Sequence, residues 1–204
     1  MELHLIRHGQ TNWNQERRAQ GQSESILTDL GISQAQDLGK RIHSHNYDAI
    51  FCSSSQRTRQ TAEHAFSKKP DTLTNIVYLD SLREIFLGPW EGILYDEIEK
   101  SQPDSYRHFW HEPHLFAVNG AESFLELQNR AINQIHEIAQ TNHGKKIAIV
   151  SHGALIKSVI CHALNKPIEE LWSPPNMHNC AHSIIQYSSE LKPTITLLAD
   201  KPFM

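Results

Sequence analysis

The chain has 204 residues, of which 39% are hydrophobic and 21% are charged, and this length is sufficient for one folded domain with a substantial buried core. Its 19 Lys and Arg residues stand against 23 Asp and Glu residues, so the formal net charge of −4 excludes the basic excess that binds nucleic acid or anionic membranes without sequence preference. Frequent aliphatic residues and the lack of single-residue tracts also exclude a disordered linker.

The cysteines and the apolar segments bear on the cellular compartment. Cys52, Cys161 and Cys180 are odd in number and form no CxxC pair, so they indicate neither a disulfide framework nor a zinc ribbon. Residues 1–7 lack the apolar region and the cleavage site of a signal peptide, and no run approaches the ~20 apolar residues that cross a bilayer. We therefore expect a cytoplasmic protein that is not bound to a membrane.

The first half of the chain alternates between strand and helix patterns. Residues 3–6 form a short apolar strand. A helix begins behind Thr28, a residue suited to the N-cap, and its apolar face repeats at helical spacing through Ile32, Ala35, Leu38 and Ile42. The apolar run 48–51 predicts a second strand before a helix over 56–66, and residues 75–79 predict a third strand.

The second half of the chain continues this alternation. A long helix follows Gly120, with one apolar face made by Phe124, Leu127, Ala131, Ile135 and Ile138. Residues 146–150 form a nearly continuous apolar strand, and a further helix begins near Gly153. The last strands are predicted at 183–188 and 194–199. Strands that alternate with helices predict an α/β fold: a three-layer α/β/α sandwich with a mostly parallel central sheet, in one domain over residues 1–204.

One segment interrupts the regular pattern. Residues 94–119 contain Pro103, Pro113, Trp110 and several histidines, and they show neither strand nor long-helix periodicity. Loops of this kind usually lie over a binding site. We expect an irregular or short-helical lid above the sheet, over about residues 93–120.

Charged and imidazole side chains follow the successive predicted strands. Arg7 and His8 end the first strand, Arg57 follows the second, Glu84 follows the third, and His152 ends the fourth. In an open parallel sheet, ligands bind beyond the carboxyl ends of the strands. The sequence therefore predicts that these five residues meet at one edge of the sheet.

The chemistry of these five residues is suited to the transfer of a phosphoryl group. Such a group spreads negative charge over three equatorial oxygens, and arginine supplies forked donors that match this geometry. A neutral imidazole attacks phosphorus through a ring nitrogen, so we assign His8 as the nucleophile and expect neighbouring cations to depress its pKa. His152 would stabilise the equatorial oxygens, and Glu84, the one carboxylate of the set, would protonate the leaving group.

The ordered motifs of the chain resemble those of the histidine phosphatase superfamily, which includes the phosphoglycerate mutases. The resemblance spans nearly the whole sequence. It is carried by LIRHGQT at 5–11, by Ser53, Arg57 and QTA at 60–62, by LRE at 82–84 with GPWEG at 88–92, and by GAES at 120–123 and VSHG at 150–153.

This resemblance implies a phosphoglycerate mutase-like fold and a site for a small phosphorylated molecule. It places Arg7, Arg57 and His152 around the phosphoryl group, with His8 as the phosphorylated residue and Glu84 as proton donor. It further implies phosphate or substrate contacts at Asn14, Gln20, Gly21, Arg59 and Gly153. The family requires neither a metal nor another cofactor.

Within this family the sequence favours a phosphatase over a mutase. The mutases follow the acid with Arg-His-Tyr-Gly and carry a longer insertion over the site, whereas residues 85–88 read Ile-Phe-Leu-Gly and the insertion here is short. A mutase must shield its phosphohistidine from water, which a short lid does poorly. We therefore predict metal-independent hydrolysis of phosphomonoesters through a phosphohistidine. Mutase activity and a non-catalytic phospho-ligand binding module are the alternatives.

Three histidines of the predicted lid, His108, His111 and His114, have a spacing that occurs in zinc sites. Pro113 interrupts the helical pattern between them, so we expect no metal there. The aromatic residues of the same segment, Phe109, Trp110 and Phe116, are expected to anchor the lid to the core.

Two further arginines follow the first motif. Two interpretations of Arg18 stay open: it binds a second acidic group of the substrate, or it is solvated. Arg17 is expected to be solvated.

Overall fold

The computed structural model describes residues 1–68 and 73–203. The strands in these ranges are β1 (Glu2–Arg7), β2 (Ala49–Ser53), β3 (Ile76–Leu79), β4 (Lys146–Ser151), β5 (His182–Tyr187), β6 (Pro193–Leu198) and β7 (Lys201–Pro202). The α-helices are α1 (Asn12–Glu16), α2 (Asp29–Arg41), α3 (Gln56–Ala65), α4 (Tyr95–Ser101), α5 (Pro103–His111), α6 (Phe124–Thr141) and α7 (Gly153–Ala163).

All seven strands form one sheet in the order β3-β2-β4-β1-β5-β6-β7. The first four strands of this order pair in parallel, and Arg7 lies opposite Ser151 in the register of β1 with β4. The carboxyl ends of β1 and β4 are therefore neighbours, as the predicted site requires. The remaining pairs, from β1–β5 to β6–β7, are antiparallel.

Helices cover both faces of the sheet because side chains alternate between the two faces along each strand. In β1, Leu3 and Leu5 belong to the core that includes buried residues of α6 and α7, whereas Ile6 belongs to the core that includes those of α2 and α3. The predicted three-layer α/β/α sandwich is confirmed. The sequence did not predict α1 or β7, because segments this short carry no periodicity of their own.

The segment predicted as a lid consists of α4, α5 and a short 3-10 turn at 113–115. Phe109 and Phe116 are buried, with ring centroids 5.7 and 5.2 Å from that of Trp90. These contacts anchor the segment to the core, in agreement with the prediction for its aromatic residues. In the part of the chain that the structure describes, no helix has the length and apolarity needed to cross a bilayer.

Candidate active site

The carboxyl ends of the parallel strands bring the five predicted catalytic residues to one edge of the sheet. His8 and His152 follow the neighbouring strands β1 and β4, and their ring centroids are 5.4 Å apart. Both rings are buried, as is the Arg57 side chain from the first turn of α3. Arg7 and Glu84 line the same cavity as His8 and Arg57.

The surroundings of His8 leave one ring nitrogen available for attack. Its Nδ1 lies 2.7 Å from the carbonyl oxygen of Gly9, which only accepts hydrogen bonds, so Nδ1 carries the proton and Nε2 keeps its lone pair. Burial, followed by the charges of Arg57 and Arg7, holds the pKa of His8 well below 6.5. At neutral pH the ring is therefore uncharged, and the cationic neighbours lower its pKa as the sequence predicted.

Backbone carbonyls hold the guanidinium groups of both arginines. Arg57 donates from Nη2 to Gly21 at 2.7 Å and from Nη1 to Ser23 at 2.9 Å, and Arg7 donates from Nη1 to Met177. Burial lowers the pKa of Arg57 to about 10, so the group is still charged at neutral pH. Because carbonyl oxygens carry no full negative charge, they do not neutralise the two guanidinium groups, which can therefore still bind an anion.

Three nitrogens of this site are buried without a hydrogen-bond partner: Nε of Arg7, Nε of Arg57 and Nδ1 of His152. Buried polar groups are nearly always paired, so unpaired groups in one place indicate a missing partner. Gly153 permits the close packing here, since a Cβ on this residue would lie 3.3 Å from Nε of Arg7.

The other ring nitrogen of His152 contacts a residue to which the sequence analysis assigned no role. Ser53 Oγ lies 2.7 Å from His152 Nε2, and both side chains are fully buried. Burial and the charge of Arg57 hold the pKa of His152 well below 6.5, so the ring is neutral. A neutral ring that accepts the Ser53 hydroxyl proton at Nε2 carries its own proton on the unpaired Nδ1.

Glu84 is held by the first turn of α7. Its Oε1 accepts the backbone N–H groups of Ile85 and Leu155, each at 3.0 Å, and Oε2 accepts that of Ala154 at 3.0 Å. A carboxylate oxygen has two lone pairs, so Oε1 is fully used while Oε2 keeps one. Oε2 is therefore the atom that would carry a transferable proton.

A cavity of about 610 Å³ opens over these groups. Four residues of the predicted substrate contacts line it: Asn14, Gln20, Gly21 and Gly153. Arg59 does not, because its side chain turns to the outside of α3. Its Nε donates to the Ser54 carbonyl at 2.9 Å, and its guanidinium carbon lies 4.1 Å from the ring centroid of Tyr78.

Much of the remaining cavity wall is aromatic or cationic. Its aromatic members are Trp13, Tyr95, Tyr106, Phe109, Trp110 and Trp172, and its further cations are Arg17, Arg18 and Lys157. Arg17 borders the cavity, but its side chain is 67% exposed, which agrees with the expectation that it is solvated. Arg18, for which the sequence left two alternatives, also lines the cavity. Arg18 also pairs with Glu16, with 2.7 Å between Nη2 and Oε2. The sequence analysis did not single out Lys157.

The three histidines of the lid segment are placed differently from one another. His111 lines the cavity, whereas His108 contacts Arg107 on α5 and His114 is exposed. Within residues 1–68 and 73–203, the group of possible metal ligands is Glu2, His4 and His45, and it contains none of these three.

The fold and the site together define a class of α/β protein in which two histidines and two arginines meet at the carboxyl edge of a parallel sheet. The chain belongs to the histidine phosphatase superfamily (branch 1), whose family profile matches residues 3–201. Membership in this superfamily supports a phosphatase of the histidine type, and thus a hydrolase.

Individual relatives agree with this assignment and carry different activities in their names. Phosphoserine phosphatase 1 of Hydrogenobacter thermophilus is 28% identical over 186 residues, which cover 91% of this chain and 86% of the relative. A probable phosphoglycerate mutase, GpmB of Salmonella choleraesuis, is 30% identical over 189 residues, which cover 92% and 85%. The solved structure of Bacillus stearothermophilus YhfR has a TM-score of 0.92 and 37% identity, covering 98% of this chain and 96% of that one.

Proposed function

We propose that this protein is a metal-independent phosphatase that hydrolyses small phosphomonoesters through a phosphohistidine on His8. The observation that carries the proposal is the set of unpaired buried nitrogens on Arg7, Arg57 and His152. Leaving such groups without partners costs free energy, about 1–3 kcal/mol each and more for charged groups. A phosphoryl group provides three equatorial oxygens and negative charge, and is thus a suitable partner for all three nitrogens.

The reaction begins with attack by Nε2 of His8 on phosphorus. As the N–P bond forms, the bond between phosphorus and the ester oxygen breaks, and the leaving alkoxide takes the proton from Oε2 of Glu84. A water molecule then attacks phosphorus on the opposite side from Nε2 and gives its proton to the Glu84 carboxylate. The N–P bond breaks, inorganic phosphate leaves, and both His8 and Glu84 return to their starting states.

Activity measurements with a matched histidine variant test this proposal. Wild-type protein treated with a chelator should hydrolyse p-nitrophenyl phosphate, and His8→Ala should lower kcat by about 10³-fold or more. His114→Ala, an exposed residue outside the cavity, should retain full activity. A rapid quench with ³²P-labelled substrate should give an acid-labile, base-stable label on wild type and none on His8→Ala. Full activity of His8→Ala would refute the mechanism.

A second measurement separates hydrolysis from mutase activity. Residues 85–88 and the short lid segment support hydrolysis, because they lack the features with which mutases exclude water. Incubation with 3-phosphoglycerate and 2,3-bisphosphoglycerate should release inorganic phosphate faster than it forms 2-phosphoglycerate. Isomerisation that outpaces phosphate release would instead assign the chain to the mutases.

A further inference from the structure

Lys157 is a buried cation in the wall of the candidate active site. It lies on α7, one helical turn after Gly153, and only 7% of the residue is exposed. Its ammonium group donates to the carbonyl oxygens of Ser173 and Pro175. An ammonium has three N–H groups, so one donor remains beyond these two bonds.

The charges around the cavity are strongly unbalanced. Five cationic side chains line it, and the one carboxylate among the lining residues is Glu84; the cations are Arg7, Arg17, Arg18, Arg57 and Lys157. Arg7 and Arg57 face the proposed phosphoryl position. Arg17 and Arg18 already have acidic partners, Asp96 at 3.3 Å and Glu16 at 2.7 Å.

Lys157 differs from Arg17 and Arg18 because both of its acceptors are neutral carbonyls. Burial lowers the pKa of its ammonium group, and no carboxylate is among the groups that counteract this effect. A buried charge without an opposite charge is unfavourable, and an anion from the substrate would relieve this imbalance.

Lys157 and the proposed phosphoryl site lie in the same cavity and are held by the same segment of the chain. Lys157 and Arg7 bind carbonyls of the same short segment, Lys157 at residues 173 and 175 and Arg7 at residue 177. Along α7, Lys157 lies about 6 Å beyond Gly153, the residue that packs against Nε of Arg7.

From this geometry we infer that Lys157 forms a second anion subsite, which binds the carboxylate of a small phosphomonoester. The inference rests on the proposed phosphatase function and adds the substrate class to it. A carboxylate fits better than a second phosphate dianion, because a single N–H donor of one ammonium group faces the ligand. The phosphoryl group would lie against His8, and the carboxylate one helical turn away along α7.

Matched substrates test this inference directly. 3-Phosphoglycerate and glycerol 3-phosphate have the same length and differ in a carboxylate against a hydroxymethyl group. O-phosphoserine and O-phosphoethanolamine differ in the presence of a carboxylate. For wild type we expect kcat/KM to favour the carboxylate member of at least one pair by about tenfold or more, mainly through a lower KM.

The preference should depend on the charge at position 157. Lys157→Met should reduce the ratio within that pair to near one, whereas Lys157→Arg should retain most of it. Lys166→Met serves as the control and should leave the ratio unchanged, because Lys166 lies outside the cavity and pairs with Glu170. The ratio between matched substrates is independent of the amount of folded enzyme, so a loss of stability in Lys157→Met would not imitate the result.

The outcomes separate this inference from the proposed function. If wild type hydrolyses p-nitrophenyl phosphate and the matched substrates without a preference for carboxylates, the carboxylate subsite is refuted and the phosphatase stands. A preference that persists unchanged in Lys157→Met also refutes the role of Lys157. If wild type hydrolyses none of these esters, both proposals are wrong.

Discussion

At the scale of single residues, protonation states decide the chemistry of this site. His8 and His152 are both buried near two guanidinium groups, and this environment disfavours a charged imidazole. Two neutral rings then serve different purposes, because their hydrogen-bond partners differ. Gly9 holds the proton of His8 on Nδ1, while Ser53 contacts Nε2 of His152 and the Nδ1 of that ring has no hydrogen-bond partner.

The depressed pKa of His8 predicts its titration. A group whose pKa lies well below 6.5 in the folded protein stays neutral as the pH falls through 6.5, so the neutral His8 ring persists in mild acid. Ring-carbon NMR signals of His8, assigned with His8→Asn, should show no titration between about pH 8 and about pH 5.5. A midpoint at or above 6.5 would show that the two arginines and burial do not act on this ring as described.

The contact between Ser53 and His152 predicts a second effect. Ser53→Ala removes the donor to Nε2 and lets the proton of His152 move to that nitrogen, so kcat should fall by about tenfold. Ser158→Ala is a matched control, because Ser158 is equally buried and its hydroxyl donates to the Leu155 carbonyl instead of contacting His152. Ring-nitrogen NMR shifts of His152 report the tautomer. Equal kcat values for the two variants would contradict the assignment.

At the scale of elements, a close crossing fixes the loop that carries His8. The residues after β1 pass directly over the first turn of α2, and a Cβ on Gly31 would lie 2.0 Å from the carbonyl oxygen of Gln10. The N-cap of α2 joins the same two segments, since Thr28 accepts the N–H of Gly31 at 3.1 Å and donates to Gln10 Oε1 at 2.9 Å. Helix α2 thus supports the catalytic loop as well as the core.

This crossing makes Gly31→Ala destabilising. The added methyl group must push the backbone of the loop away, and we expect a loss of about 2 kcal/mol in the free energy of unfolding, together with a lower kcat. Ser33→Ala, an exposed change in the same helix, should alter stability by less than about 0.5 kcal/mol. Urea unfolding of both variants measures the difference. An unchanged midpoint for Gly31→Ala would show that the loop moves freely.

At the scale of the whole molecule, a second histidine cluster lies near the amino end of β1. His4 Nε2 is 2.8 Å from Glu2 Oε1, and His4 Nδ1 is 2.8 Å from His182 Nε2 and 3.0 Å from the Tyr47 hydroxyl. Burial lowers the pKa of His4 to about 4 and that of His182 to about 3. The cluster connects β1, β5 and the loop after α2 while its two buried rings are neutral.

The cluster predicts loss of stability in acid. Because both histidines have lower pKa values in the folded state than the ordinary 6.5, the unfolded chain binds more protons below that pH, and stability falls as the pH decreases from about 6.5 to about 4. His4 alone accounts for about 3 kcal/mol over this range. Urea unfolding at several pH values measures the slope. His182→Gln should flatten it and His114→Gln should not; equal slopes in both variants would contradict the prediction.

Local patterns in the sequence were sufficient to predict the α/β fold and the residues at the ends of its parallel strands. Apolar periodicity depends on neighbouring residues, so it predicted the α/β alternation and the four parallel strands. The residues that follow these strands, such as His8 and His152, could then be placed at one edge because parallel strands end together.

Only the tertiary structure shows which side chains meet, because such contacts depend on strand register and on the direction in which each side chain extends. Ser53 and His152 are 99 positions apart, and their contact arises from the pairing of β2 with β4. Lys157 reaches the cavity through its place on α7, whereas Arg59, for which the resemblance implied a substrate contact, turns away from the cavity on α3. The pairing and packing of distant elements bring such residues together, and no local pattern encodes that arrangement.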